Sequence, residues 1–454
     1  MLTRAHEPLP DPGRLFGDLH LAGRTTVVAA VSGGGDSLAL LLLFQAYLAR
    51  LAAPPALVAV TVDHRLRPGS GAEAEAVARL CAARGIAHRT VAWRARRPAS
   101  GLQAAARAAR HALLAEAAGA AGTDLVLTGH TADDQAETVA MRAGRGGGRG
   151  MAGIAPATLY DGRVWFVRPL LGTRRVALRR VLQAHGVAWH DDPSNRDPAF
   201  ERARLRAALD EPAIAARLTE ARQAAAARRG LNRSAAALID AAAARVAPGL
   251  LRVDPAALAG EAETAVHALR LLLAVAGGRD QLADLARTRA LAARLAAGPC
   301  RATLSRALVV RRREGVFLLR EARGLPAVPL GADPVVWDGR YRIARREAEI
   351  PPAGGDAATI AALGRVPVPA AAIGDGAPAA LARAAMAAEP ALWRGGVCLG
   401  PTAGRAAVAC TPVTGPWVRH LPAFDLGPAA ALARLVGAPE PPASPWRGHI
   451  EPLA

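Results

Sequence analysis

The stretch Val27–Ser37, VVAAVSGGGDS, decides how the first part of the chain folds. It lies partly in an apolar run, Thr25–Val31, that is typical of a buried strand, and it continues into three consecutive glycines. A glycine-rich loop between a strand and a helix commonly holds phosphate, because its backbone N–H groups point inward and the helix N-terminus adds positive potential. The carboxylate of Asp36 would repel phosphate unless it held Mg²⁺. The alternative is an ordinary turn in which Asp36 and Ser37 cap the next helix.

The charge of the chain points to a polyanionic partner. The 454 residues include 57 basic ones, all of them arginine, against 38 acidic ones, so the formal net charge is +19. Such a surplus favours nucleic acid, through phosphate contacts and the release of counterions. A GC-biased coding sequence would explain the missing lysines but not the excess over acids.

The cysteines and the apolar runs exclude several classes of protein. The four cysteines are too scattered for a disulfide framework, and no Cys-x-x-Cys spacing suggests a zinc ribbon or an iron–sulfur site. The N-terminus lacks the apolar segment of a signal peptide, and no apolar run is long enough to span a membrane. The sequence therefore predicts a cytoplasmic protein without membrane contact.

Strand and helix patterns alternate from residue 25 to about residue 143. The predicted strands are Thr25–Val31, Ala56–Val62, His88–Trp93 and Asp124–His130. Near-continuous apolar strands between helical segments predict an α/β fold, a Rossmann-like doubly wound parallel sheet. Ligands of such sheets bind beyond the carboxyl ends of the strands, where the glycines, Asp63 and His130 fall.

The character of the sequence changes twice after this region. Residues 200–298 are rich in Ala, Arg and Leu with few turn signals, which predicts helices. After Cys300, two strand-like runs flank Arg-Glu-Gly, and the Asp-Gly pair at 338–339 predicts a hairpin. We therefore expect three domains, namely 1–215, a helical domain over 216–300 and a mixed α/β domain over 301–454.

Familiar phosphate-binding motifs do not match. A Walker A loop and the ATP-binding strand of protein kinases each require a lysine, which the chain lacks. The dinucleotide fingerprint fails because Leu38 occupies the position of its third glycine. A formal match at Gly148–Gly153 follows a helix rather than a strand, so we attribute it to chance.

The loop instead resembles the Ser-Gly-Gly-x-Asp-Ser loop of the PP-loop ATP pyrophosphatases. These enzymes cleave ATP between the α and β phosphates and activate a substrate as its adenylate. The resemblance implies ATP and Mg²⁺ as cofactors, with Asp36 as the metal ligand. The implied nucleotide-binding residues of the loop are Ser32, Gly33, Gly34, Gly35, Asp36 and Ser37.

Further blocks resemble one family of that superfamily, the bacterial tRNA(Ile)-lysidine synthetases. In the family's order come VDHRLRPGSGAEAEAV (Val62–Val77), GLQAAARAARHALL, LTGHTADDQAETVAMRAGRGGGRGMAGI, RPLL and WHDDPSNRDPAFERARLR (Trp189–Arg206). The resemblance implies that ATP adenylates the C2 oxygen of the wobble cytidine in a tRNA(Ile) with a CAU anticodon. Free L-lysine then displaces AMP. The implied partners are that tRNA and lysine.

The resemblance also implies roles for charged residues near the loop. Asp133 and Glu137, four apart on one helix face with Asp134 beside them, suit a second metal contact or, equally, the ammonium of lysine. The resemblance favours lysine recognition by Asp133 and Glu137 as catalytic residues. Helix capping is the alternative for any one acid alone. Arg107 and Arg110 would neutralise phosphate as catalytic residues, unless they only form an exposed basic face.

Other residues receive binding roles by the same resemblance. Asp63 and His64 are expected to contact the nucleotide, and His130 is catalytic or, with a slight preference, structural. Asn195, with its neighbours Asp191, Asp192 and Ser194, would shape the substrate pocket or form a simple turn. The residues expected to contact tRNA phosphates, or else to be solvated charges, are Arg202, Arg204 and Arg206.

The chain departs from the family pattern in two places. Gly147 stands where a serine is usual, and ERARLR lacks the usual asparagine. The C-terminal region is expected to bind tRNA, and its basic strand pair around 311–313 fits that role. The alternatives are a tRNA thiolase, a small-molecule synthetase and an inactive tRNA-binding protein; the cysteines, the net charge and the intact acids respectively argue against them. The oligomeric state stays open, with a homodimer as one option.

Overall fold

The computed structural model describes residues 8–65, 69–95, 98, 100–191, 197–346, 358–365 and 377–448. These described residues fall into two compact units. The first is Met1–Arg228 with Arg419–Phe424 and Ala443–Ala454, and the second is Arg229–Val418 with Asp425–Pro442. The division into 1–215, 216–300 and 301–454 remains a prediction.

Strands and helices alternate through the first unit, as the sequence predicts. The strands of the described chain are β1 (Thr26–Ala30), β2 (Ala56–Asp63), β3 (Ala87–Ala92), β4 (Leu125–Thr128), β5 (Ala157–Tyr160), β6 (Val164–Val167), β7 (Ala243–Ala247), β8 (Leu250–Val253), β9 (Cys300–Leu304), β10 (Ala307–Arg312), β11 (Gly315–Arg320), β12 (Val328–Pro329), β13 (Val335–Trp337), β14 (Tyr341–Arg345), β15 (Thr359–Ala362), β16 (Pro390–Arg394), β17 (Val397–Pro401), β18 (Val408–Pro412) and β19 (His420–Pro422). Its helices are α1 (Pro12–Phe16), α2 (Gly35–Leu48), α3 (Ser70–Ala83), α4 (Leu102–Ala120), α5 (Ala132–Ala143), α6 (Arg175–Ala184), α7 (Glu201–Ala208), α8 (Glu211–Ala242), α9 (Pro255–Leu258), α10 (Ala262–Gly277), α11 (Leu285–Ala297), α12 (Ala379–Ala387) and α13 (Leu426–Val436).

Over the residues described, no helix is both long and apolar enough to cross a membrane.

A sheet organises the first unit. Counted over the described residues it has seven strands in the order β19-β5-β6-β4-β1-β2-β3. β3, β2, β1, β4 and β6 pair in parallel, which confirms the predicted α/β fold. At the other edge β5 pairs antiparallel with both β6 and β19, a feature that the sequence did not predict. β19 comes from the C-terminal part of the chain, so its place in the sheet depends on a long-range contact.

Burial on both sides explains why the central strand is an unbroken apolar run. The residues of β1 from Val27 to Ala30 are at most 2% exposed. Val28 and Ala30 pack in one cluster with Leu114 of α4, so their neighbours Val27 and Ala29 face the other side of the sheet. The chain passes from β1 through the glycine loop directly into α2, which places that loop at the carboxyl end of a central strand.

The second unit contains more strand than the sequence predicts. Over the described residues its sheets have the orders β7-β8-β11-β10-β9, β12-β15-β16-β17 and β13-β14-β18. The runs around Arg-Glu-Gly form β10 and β11, and Asp338 and Gly339 make the predicted hairpin turn with φ of 52° and 68°. β7 and β8 interrupt the segment 216–300, which was predicted to be helical. These two strands are short and partly alanine-rich, so their own residues do not show a strand pattern. β8 also depends on pairing with β11, which is distant in the sequence.

Candidate active site

The glycine loop leaves the start of α2 without a side-chain cap. Gly33 has a φ of +80°, a left-handed conformation that glycine adopts without strain. Gly34 is the N-cap residue, and as a glycine it has no side chain with which to cap the helix. Ser37 instead fastens the loop, since its Oγ accepts from the Ser32 N–H at 3.1 Å and donates to the Gly34 carbonyl at 2.9 Å. The first-turn N–H groups of α2 are therefore suited to an anion.

Close packing requires glycine at one further point and favours it at another. A Cβ on Gly129, after β4, would lie 2.8 Å from the carbonyl oxygen of Asp36, so the segments that follow β1 and β4 approach each other only because a side chain is absent there. A Cβ on Gly35 would lie 3.3 Å from Cδ1 of Trp189, a tight contact that Trp189 would have to relieve by a small shift.

A cavity of about 350 Å³ opens beside the loop, at the carboxyl ends of the parallel strands. It collects residues from several segments that are far apart in sequence. Its lining residues are Ser32, Gly34, Gly35, Asp36, Ser37, Arg110, Gly129, His130, Asp134, Arg175, Arg179, Trp189, His190, Asp191, Arg202 and Arg206.

Arg175, at the start of α6, bridges the acids of this site. Its Nε donates to Asp36 Oδ2 at 3.0 Å and its Nη2 donates to Asp134 Oδ1 at 3.1 Å. Its Nη1 also lies 3.6 Å from Oε1 of Glu137. The Arg175 side chain is only 15% exposed, so these contacts are poorly screened by solvent.

Two arginines of α7 complete the ion-pair network. Arg202 and Arg206 lie four apart and therefore share one helix face. The Nε of Arg202 donates to Glu137 Oε2 at 2.6 Å, and the Nε of Arg206 donates to Glu137 Oε1 at 2.8 Å. Arg202 also donates to Asp134 Oδ1 at 2.8 Å. Burial alone would raise the pKa of Glu137, but Arg206 and Arg202 outweigh it and lower that pKa.

Asp36 is the less compensated carboxylate of the network. Burial raises its pKa, and the neighbouring Asp134 and Asp133 raise it further, whereas Arg175 lowers it only in part. A carboxylate in this condition gains from any added cation.

The three acids predicted to act together at the start of α5 have different surroundings. Asp134 lies in the cavity and also forms a capping box with Thr131, whose N–H it accepts at 2.8 Å. Asp133 is turned to α6, where it accepts from the Arg175 N–H at 2.7 Å and from Arg174 Nη2 at 3.1 Å. Asp133 thus caps the N-terminus of α6 and does not line the cavity.

The two predicted arginines of α4 carry charge that the described residues do not balance. Neither Arg107 nor Arg110 has a hydrogen bond or ion pair from its side chain among the residues described. Arg110 lines the cavity, where burial lowers its pKa and Arg107 lowers it further. Burial and four nearby arginines, Arg168 first, hold the pKa of His130 well below its usual range, so its imidazole is neutral.

The residues at the end of β2 lie beside the cavity without lining it. The Asp63 carboxylate accepts from the Arg65 N–H at 2.8 Å. His64 packs edge-to-face on Trp93, and its buried Nδ1 makes no hydrogen bond within the described part of the chain. Their predicted nucleotide contacts therefore stay predictions.

Some of the other predicted residues lie away from the cavity or outside the described residues. Arg204 donates to the carbonyl oxygens of Pro198 and Ala199 and so holds the turn before α7. Asp191 lines the cavity, but Asn195, Asp192 and Ser194 lie outside the described residues.

Several lining residues were missed from the sequence. The clearest are Arg175 and the cover formed by Trp189 and His190, whose N–H donates to the Gly33 carbonyl at 3.0 Å. One signal could have indicated Arg175: two successive arginines at the start of α6 oppose the helix dipole, and that turn has no acid of its own. Arginines at this position imply acids from elsewhere in the fold. No comparable signal marks Trp189.

Comparisons with known proteins identify relatives of this chain. A PP-loop domain family matches residues 13–212. The tRNA(Ile)-lysidine synthase of Mesorhizobium japonicum is 52% identical over 449 residues, which covers 96% of this chain and 97% of that protein. Proteins of the same name from Rhizobium meliloti and Brucella melitensis are 43% and 41% identical, over 74% and 73% of this chain and 75% and 76% of theirs.

A solved structure shows a looser similarity. The U34-tRNA thiolase NcsA from Methanococcus maripaludis aligns with a TM-score of 0.41 and 17% identity, over 47% of this chain and 76% of that chain. A likeness of this size says nothing about function. The identity and coverage of the named relatives decide the assignment: the chain belongs to the tRNA(Ile)-lysidine synthase family, ligases built on a PP-loop ATP-binding domain.

Proposed function

We propose that this enzyme uses ATP to attach free L-lysine to C2 of the wobble cytidine in tRNA(Ile) with a CAU anticodon. In the first step the C2 oxygen attacks the α-phosphorus of ATP, and pyrophosphate leaves. In the second step the ε-amine of lysine attacks C2, the C2–O bond breaks, and AMP departs with that oxygen. The observation that carries the proposal is a glycine loop facing a cavity that Asp36, Asp134 and Arg110 line, where Arg110 has no side-chain partner among the described residues.

The loop would bind the phosphates of ATP. The N–H groups at the start of α2 and the hydroxyls of Ser32 and Ser37 can donate to the phosphate oxygens. Arg110 has no counter-charge among the described residues, so it can neutralise charge that develops on the leaving pyrophosphate. Arg107, three residues earlier on the same helix, would add positive charge beside the cavity without contacting the pyrophosphate, and Asp63 and His64 would contact the nucleoside.

The donor set fits Mg²⁺ at Asp36. Among the described residues no group of three or more His, Cys, Asp or Glu side chains is arranged to hold a metal ion. Mg²⁺ commonly takes one or two carboxylates and completes its shell with water and substrate phosphates, so a single carboxylate beside the phosphate loop is a sufficient contribution. Burial also raises the pKa of Asp36, so a bound cation would stabilise its charged form. When bound, Mg²⁺ would draw charge from the phosphates.

The acids of α5 would hold the substrate lysine. Asp134 faces the cavity, and Glu137, at 2% side-chain exposure, lies directly behind it. We assign the ammonium to this pair, because the α7 arginines that now contact them are 40% and 31% exposed and can turn toward RNA phosphates. Asp133 would act indirectly, by fixing α6 and with it Arg175.

The remaining partners follow from the charge and from the names of the relatives. The net charge of +19 suits a tRNA, and we propose that the C-terminal region contributes to holding it. We expect the enzyme in the cytoplasm, with a homodimer as one assembly to test by light scattering.

The decisive experiment is to incubate the protein with ATP, Mg²⁺, lysine and a tRNA(Ile) transcript and to analyse the nucleosides by mass spectrometry. We expect a cytidine heavier by lysine minus water, absent with Asp36→Ala. A sulfur-containing product would instead indicate a thiolase. The absence of tRNA-dependent ATP–pyrophosphate exchange would indicate an inactive binder, and either result would overturn the proposal.

A further inference from the structure

Three partly exposed rings meet at the edge of the first sheet, beside α4. His111 comes from α4, Tyr160 ends β5, and His420 begins β19 opposite Tyr160. The centroid of the His420 ring lies 5.3 Å from that of His111 and 5.2 Å from that of Tyr160. The buried ring of Phe166 lies beneath them, 4.9 Å from His111. We call His111, Tyr160 and His420 the ring cluster.

The topology of the sheet creates the ring cluster. α4 covers the face that carries Val28, Val126 and Phe166, and His111 lies at the margin of that covered core. β5 and β19 extend the same face beyond β6. The rings therefore form the outer edge of a core, with His420 exposed and the other two half-buried. The rings of His111 and Tyr160 are nearly parallel, at 17°, and that of His420 stands at 80° to His111.

The charges around the ring cluster favour an anionic partner. Arg419, Arg107 and Arg168 all act on His420, and Arg163 and Arg419 act on Tyr160. The acids that face Tyr160 are Asp161 and Glu116, and Asp161 is already paired with Arg163 at 2.8 Å. Four arginines and two acids therefore surround the ring cluster, so the local charge is positive.

The rings are neutral in these surroundings. Burial, with Arg107 close by, lowers the pKa of His111 to about 3, and burial and Arg419 lower the pKa of His420. Neutral imidazole and phenol rings present π-faces on which a nucleobase can stack.

We propose that the ring cluster stacks an unpaired base of the RNA substrate, one that neighbours the cytidine entering the cavity, while Arg107 binds the phosphate between them. This inference rests on the proposed function, since it takes the RNA from there. When one base is extruded from an RNA strand, the bases beside it lose a stacking partner. An aromatic side chain of the protein can take the place of that partner. Arg107 precedes His111 by about one helical turn, and Arg110 of the same turn lines the cavity, so one strand of RNA can reach both places.

The experiment measures binding of a fluorescent RNA stem–loop with the anticodon sequence to full-length variants. We expect Tyr160→Ala and His420→Ala each to raise Kd by at least about fivefold, the lower end for loss of one stacked base. Tyr160→Phe and His420→Phe keep a ring and should stay within about twofold of the wild type, as should His20→Ala, which removes an exposed histidine elsewhere. ATP affinity should not change in any of them.

Two controls separate the failures. If the wild type binds the loop RNA but the alanine variants bind it equally well, the inference is overturned and the proposed function stands. An equal loss of affinity for a fully paired RNA of the same length would also overturn it, because no base is free to stack there. If the wild type binds no RNA at all, the proposed function itself fails.

A measurement on the wild type covers the case in which the alanine variants do not fold. The loop RNA is prepared with 4-thiouridine at the position beside the target cytidine, irradiated with the protein, and the adduct is digested for mass spectrometry. A crosslink on the peptide that contains Tyr160 or His420 supports the inference. Crosslinks confined to other peptides contradict it.

Discussion

Replacing Arg175 by methionine removes the cation on which the acidic site depends. Arg175 makes two charge-assisted hydrogen bonds, at 3.0 Å to Asp36 and 3.1 Å to Asp134, and its side chain is 15% exposed. Each such bond contributes about 1.5–3 kcal/mol. The partners are partly open to solvent, so we expect a loss of about 2–4 kcal/mol in the opening free energy of α5 and α6.

The loss should depend on pH in a defined direction. The pKa of Asp36 is already raised by burial, and Arg175 is the group that lowers it, so the variant raises this pKa further. A carboxyl whose folded pKa exceeds its unfolded pKa costs stability as pH rises between those two values. The difference between variant and wild type should therefore be small in acid, where Asp36 is protonated, and largest at neutral pH and above.

Native-state hydrogen exchange across pH measures the opening free energy of these helices. In parallel, the pH below which ATP–pyrophosphate exchange activity falls (the acid limb of its pH profile) should be higher in Arg175→Met than in the wild type. Arg175→Lys keeps the positive charge and should therefore show a smaller shift. Arg79→Gln is the control, because Arg79 and its partner Glu75 are both exposed. A variant with wild-type exchange protection and an unchanged acid limb would refute the reasoning.

Four other substitutions test the architecture. Gly129→Ala places a Cβ 2.8 Å from the Asp36 carbonyl, so it should weaken ATP binding and lower the stability by about 1–3 kcal/mol. The control Gly119→Ala, whose Cβ meets no atom within 4 Å, should change neither quantity. Isothermal titration measures the ATP affinity, and thermal melts measure the stability. Glu137→Gln should raise the KM for lysine more than the KM for ATP, while Asp133→Asn, which loosens α6, should affect both; equal effects in both variants would count against a lysine site at Glu137. In the second unit, Asp338→Ala removes the buried partner of Arg320, 2.9 Å away, and should cost about 3–5 kcal/mol by hydrogen exchange in β11, whereas loss of the exposed Asp333 should cost little.

The elements around the glycine loop could be predicted because their signals are local. An apolar run marks β1, and three glycines can adopt the loop conformation that Gly33 shows at φ +80°. The Asp-Gly pair likewise makes the turn at 338–339 with little help from elsewhere. Each signal involves residues that are neighbours in the chain.

The strand additions could not be predicted in this way. Within the described part of the chain, β19 pairs with the first sheet through β5, and β8 pairs with the distant β11. Both strands are short, so the strand propensity of their own residues is too weak a signal to predict them. Their strand conformation depends on pairing with a distant segment.

Residue types and their order along the chain were enough to indicate the fold class, the phosphate loop and several of the charged residues near it, but not Arg175. Which acid meets which arginine was decided by the tertiary structure. Asp133 turns to α6, Asp134 faces the cavity, and Arg175 lies between Asp36 and Asp134, over 40 residues from the nearer of them. Electrostatic pairing depends on distances of a few ångströms and on burial, and both arise only when separate helices and strands pack together.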